Sequence, residues 1–153
     1  MEFSDLEIKL LREIQADASL SLADLSSRIG MAQSTIWRKL QEFDAAGIVR
    51  ARVALLDPAR VGAKLCVIAQ ISLTDHSEAS VAGFTALVRR LPEILECHSV
   101  SGQADYMLKL RIRDVEAYEA FMSQNLLRSP FVRAVVSSFV LKEIKSTTAL
   151  ALG

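Results

Sequence analysis

The chain has 153 residues, 51% of them hydrophobic, with 18 basic side chains against 18 acidic ones and no net charge. That apolar share supports one or two packed cores and excludes a disordered chain, while no apolar run approaches the roughly 20 residues that span a bilayer. Charged residues from Glu2 onward do not suit a signal peptide, so a cytoplasmic protein without membrane association is expected.

Ser4 and Glu7 have capping-box spacing, and Phe3 with Ile8 that of a hydrophobic staple. They open a helix whose apolar side carries Leu6, Leu10, Leu11 and Ile14. Ser21 with Asp24 repeats the box, flanked by Leu20 and Leu25; Leu22, Leu25 and Ile29 line one face, and Gly30 is the stop. After Met31 and Ala32 a further helix runs toward Gly47, with Ile36, Leu40 and Phe43 turned inward. Gln33, Ser34, Thr35, Arg38, Lys39 and Glu42 face outward. Helix, glycine turn and polar-faced helix form a helix-turn-helix, and the alternation of Arg50 and Arg52 with apolar residues over Ile48–Leu55 predicts a strand that makes it winged. Residues 1–56 therefore read as a winged helix-turn-helix for double-stranded DNA. Gln33, Ser34, Thr35 and Arg38 are the expected base readers, and Arg28, Lys39, Arg50 and Arg52 the expected phosphate contacts. Trp37 could approach the sugar-phosphate backbone; half-buried packing against the wing or the other domain is equally simple and is the favoured expectation. The cationic excess here is small and the acids gather on the first helix (Asp5, Glu7, Glu13, Asp17), so one copy alone should bind weakly.

Pro58 and Gly62 mark residues 57–63 as a linker. Beyond it, residues 64–153 alternate strands and helices. Strand Leu65–Leu73, helix Ser77–Leu91, strands Ile94–Ser101 and Asp105–Ile112, a helix capped by Asp114, and strand Phe131–Ile144 give a ferredoxin-like βαββαβ order, an α+β fold. Both helices of that arrangement cover one face of the sheet. Apolar residues on both sides of the first and last strands predict that a second subunit covers the other, giving a homodimer with two reading heads.

No phosphate loop, nucleophile elbow or metal-ligand spacing appears, so no catalytic residue, metal or cofactor is expected. Cys66 and Cys97 read as buried thiols, and His76 and His98 as structural. One loop stands out. Val100-Ser101-Gly102-Gln103-Ala104-Asp105-Tyr106 offers backbone N–H groups to a carboxylate and Asp105 to an ammonium, as a free amino acid requires, although Gly102 and Asp105 would equally serve to shape a turn.

Several segments together resemble the Lrp/AsnC (feast/famine) family of transcription regulators. They are Asp5–Leu11, Leu25–Gly30, Gly47-Ile48-Val49, Leu56-Asp57-Pro58, Glu96–Gly102, Asp105–Lys109, Ser137-Ser138-Phe139 and Ile144–Leu150, spread over essentially the whole chain. The resemblance implies a DNA-binding head joined to a ligand-sensing domain, dimers assembling into octamers, and amino-acid effectors bound between dimers. It assigns the loop Ser101, Gly102, Gln103, Ala104 and Asp105, together with Ser137 on the last strand, to the effector pocket. Ala32 departs from the family's frequent serine cap, and Ser34-Thr35-Ile36 from its frequent Thr-Pro-Cys. The alternatives are a small enzyme on a ferredoxin-like frame and an architectural DNA-wrapping protein.

Overall fold

The computed structural model describes residues 2–152, which form two compact units. One runs to Ala54 and resumes at Lys145; the other spans Leu55–Ile144.

The first unit holds α1 (Asp5–Ala16), α2 (Leu22–Ile29) and α3 (Gln33–Ala45). Both expected capping boxes form. The Glu7 carboxylate accepts the Ser4 N–H at 2.8 Å, and Asp24 and Ser21 exchange backbone N–H bonds at 3.1 Å each way. Gly30, at φ 80°, ends α2 in the left-handed region. The turn is then stitched by the Ser26 hydroxyl, which donates to the Met31 carbonyl at 2.6 Å. Leu10, Leu11, Leu25, Ile29, Ile36 and Phe43 make the buried core, with Phe3 edge-on to Phe43 at 6.1 Å between ring centres.

Two features of this unit differ from the sequence reading. Ile48 and Val49 tuck partly against the core, but residues 50–56 form no strand, so the predicted wing is absent as a β element. A strand is stable only with a ladder partner, and no other strand exists among the described residues of this unit. The tail beyond Lys145, assigned above to the second domain, packs with the helices instead. Leu152 joins their core, Arg12 donates to its carbonyl at 2.6 Å, and the Gln15 amide pairs with the Leu150 backbone at 2.8 and 2.9 Å.

The second unit is β1 (Leu65–Leu73), α4 (Glu78–Arg89), β2 (Ile94–Ser99), β3 (Tyr106–Ile112), α5 (Val115–Phe121) and β4 (Val132–Phe139), with a π-helical turn at Met122–Leu126 extending α5. The strands lie in the order β2-β3-β1-β4, all antiparallel, which is the ferredoxin-like arrangement. Residues 57–63, read as the linker, form an ordered turn pinned by Ala63 N–H to the Pro58 carbonyl at 2.8 Å. Val67, Ala69, Ile71, Leu108 and Leu110 pack with Phe84, Tyr118, Phe121 and Leu126 in the core.

β4 stops at Phe139, short of the expected Ile144. The opposite face of the sheet is also less apolar than expected. The register brings Cys66 to Arg111, Ile68 to Lys109, Gln70 to Met107 and Val136, and His98 to Met107 on that side. Apolar and polar or charged residues therefore alternate across it, which is not the composition of a second core.

Candidate DNA-reading face and ligand pocket

α3 starts without a side-chain cap, because Ala32 has no oxygen to offer. Its outward face carries Gln33, Ser34, Trp37, Arg38 and Gln41, all exposed, whereas Thr35 is half-buried. Trp37 is 56% exposed and not packed away as expected.

Most of the cations expected to meet DNA, the base reader Arg38 among them, already hold a carboxylate. Arg28 meets Glu13 at 2.9 Å, Arg38 meets Glu42 at 2.5 Å, and Arg52 meets Asp44 at 3.1 Å. Arg50 has no ion-pair partner among the described residues. Lys39 is the most enclosed of these cations, 24% exposed, and lies between Glu7 at 2.8 Å and Glu42 at 2.9 Å. The ammonium of Lys39, aided by the N–H and hydroxyl of Ser4, holds the Glu7 carboxyl down from 4.5 to about 2. This contact ties the start of α1 to the middle of α3, so Lys39 acts as a clamp between two helices. The sequence gives no sign of it, because Glu7 and Lys39 are distant in the chain and only the packed helices bring them together.

The loop between β2 and β3 is shaped by Gly102, whose φ of 136° suits glycine alone. Asp105 fastens its far end. The Asp105 N–H donates to the Ile71 carbonyl at 2.9 Å, and its carboxylate accepts the Leu73 N–H at 2.7 Å and lies 2.7 Å from His76 Nε2. The imidazole and then the Leu73 N–H hold this carboxyl below the ordinary carboxylate range.

Beside the loop is an open pocket of about 610 Å³. Gln70, Ser99, Ser101 and Gln103 supply its polar lining and Val100, Ala104 and Met107 its apolar lining. Of the residues assigned above to an effector site, Ser101, Gln103 and Ala104 line it. Gly102 and Asp105 shape the loop behind it. Ser137 lies on the helix-packed face, its hydroxyl 2.5 Å from that of Tyr118. Val100, at the start of the conspicuous loop, lines the pocket too, and the sequence reading missed Gln70, Ser99 and Met107. Gln70 alone had a signal, as the polar residue that interrupts Leu65–Ile71. Among the described residues no three of His, Cys, Asp and Glu gather as a metal site, and no helix is long and apolar enough to cross a membrane.

Comparison with known proteins bears on both sites. Residues 3–50 match the model of a winged helix-turn-helix DNA-binding domain, and residues 66–150 that of the Lrp/AsnC ligand binding domain. The leucine-responsive regulatory protein of Haemophilus influenzae is 34% identical over 147 residues, covering 96% of this chain and 89% of that protein. A transcriptional regulator of Neisseria meningitidis, solved as a complex with L-Met, superposes with a TM-score of 0.94 at 35% identity, covering 98% of this chain and 97% of that one. An AsnC family transcriptional regulator of Agrobacterium tumefaciens gives a TM-score of 0.93 at 36% identity, over 97% of each chain.

Proposed function

The chain belongs to the Lrp/AsnC family of transcriptional regulators, and from that premise we propose that it reads a DNA operator with α3 and responds to an amino acid with an apolar side chain, bound beside the β2–β3 loop. The observation that carries the effector class is the pocket lining. It has no charged side chain; two amides and two hydroxyls suit the two ends of a zwitterion, and Val100, Ala104 and Met107 suit an apolar side chain. The L-Met bound to the Neisseria regulator supports the same chemistry. A pocket of about 610 Å³ on one chain is wide for a single amino acid and is not enclosed. A second copy is the natural missing wall, and assembly to dimers and on to octamers is part of the proposal. Paired heads on one duplex also offset the modest charge of α3.

On the DNA side, Gln33, Ser34 and Arg38 meet base edges, with Thr35 in a supporting place. Arg50 meets phosphate directly, and Arg28 and Arg52 exchange Glu13 and Asp44 for it. Thermal melting of the full chain against the common amino acids tests the reading. An effector at a hundred times its Kd adds about 2.7 kcal/mol to the folded state. The expected hits are apolar amino acids that also change operator binding. Absence of a hit, or hits confined to charged amino acids, would refute the assignment.

A further inference from the structure

Trp37 has no role in the contacts described so far. Its neighbours Ile36 and Phe43 are buried and Leu40 is half-buried, yet Trp37 is 56% exposed on the outward side of α3. It is the only tryptophan in the chain, and its indole N–H makes no hydrogen bond among the described residues. Positions 33, 37 and 41 follow one another at helical i, i+4 spacing, so the indole sits between the side chains of Gln33 and Gln41 on a stripe about 12 Å long. An apolar plate between two amides does not match a phosphate backbone, which asks for cations. It matches the floor of the major groove, where amides pair with base edges and the thymine C5-methyl is the one apolar group on offer. The cations around it reinforce the point: Lys39 is engaged by Glu7 and Glu42, and Arg38 is assigned to base edges, which leaves this stripe little charge for phosphate.

Resting on the DNA-reading role of α3, we propose that Trp37 is a specificity-determining residue that reads thymine methyl groups in the major groove. A residue in that place discriminates among sequences and adds little to non-specific binding.

The test uses the full chain and a duplex that it selects from a random pool. Trp37 is the sole indole reporter, so titration with the selected duplex should change its fluorescence, and a non-specific duplex should change it much less. Trp37→Ala should weaken binding to the selected duplex about tenfold, and binding to a non-specific duplex less than about twofold. Replacing thymines one at a time by uracil removes only the methyl. One or two positions should cost wild type several-fold and cost Trp37→Ala nothing. Equal loss on both duplexes would make Trp37 a backbone contact and overturn the proposal, as would unchanged binding by Trp37→Ala. Failure to select any sequence would refute base reading by α3 as a whole. If Trp37→Ala does not fold, the uracil scan on wild type decides alone: indifference at every thymine overturns the proposal.

Discussion

Neutralising Glu7 distinguishes a clamp from a phosphate contact at Lys39. Glu7→Gln is the informative change, because glutamine at this helix position still completes a capping box while losing the charge. Glu7 and Lys39 are 17% and 24% exposed, so their attraction is only partly screened. The fall of the Glu7 carboxyl from 4.5 to about 2 sets a ceiling of roughly 3 kcal/mol at 1.36 kcal/mol per unit, part of which belongs to the Ser4 bonds that glutamine keeps. Partial solvation lowers the remainder to about 1 kcal/mol. For a helical unit of this size that is a loss of about 4–8 °C in Tm at pH 7. The sign with pH follows from a depressed carboxyl: its stabilisation is complete above the unfolded value near 4.5 and fades as pH falls toward 2. The gap between wild type and Glu7→Gln should therefore narrow between pH 5 and pH 2, measured by circular dichroism melts. Lys39→Met supplies the counter-test through operator binding against salt. A clamp lowers Tm and leaves the slope of log K against log salt unchanged, whereas a phosphate contact lowers the slope by about 0.9. A reduced slope with an unchanged Tm would refute the clamp.

Ala32→Ser should restore the absent cap of α3, since the backbone at φ −62°, ψ 140° already has cap geometry; a gain of about 1 kcal/mol is expected, and an unchanged melt would show the helix start to be satisfied otherwise. Gly83→Ala would drive a methyl into the Phe131 ring, and the helix-propensity gain of about 1 kcal/mol should be outweighed by overpacking of about 1–3 kcal/mol. A stabilised variant in a urea melt would contradict that packing. Asp105→Ala should release the β2–β3 loop from Leu73 and His76, abolishing the effector response in a gel-shift assay while leaving effector-free operator binding intact; an undiminished response would detach the loop from the pocket.

Local signals were legible wherever a residue acts on its near neighbours. The boxes at Ser4 and Ser21 and the stop at Gly30 stand in the structure where their spacing put them, and the uncapped start at Ala32 where the departure from the family's serine put it. Strand order was legible through topology, because βαββαβ leaves few antiparallel solutions. The failures share one physical origin, which is dependence on distant partners. The alternation over Ile48–Leu55 has strand character but no ladder to join. The acids of α1 looked remote from the cations of the head until helix packing set Glu7 against Lys39 and Glu13 against Arg28. The pocket was half legible, since Ser101, Gln103 and Ala104 lie in a conspicuous loop but Gln70 and Met107 reach it only through the β1–β3 register.

The return of residues beyond Lys145 to the helices of the first unit carries a consequence for synthesis. The ribosome delivers α1 to α3 early, but the segment that seats Leu152 and engages Arg12 and Gln15 comes only after the whole sheet unit has been made. The sensor half can thus fold while the reading head still lacks a wedge of its core, and the head reaches its final packing only after the sheet unit has been made.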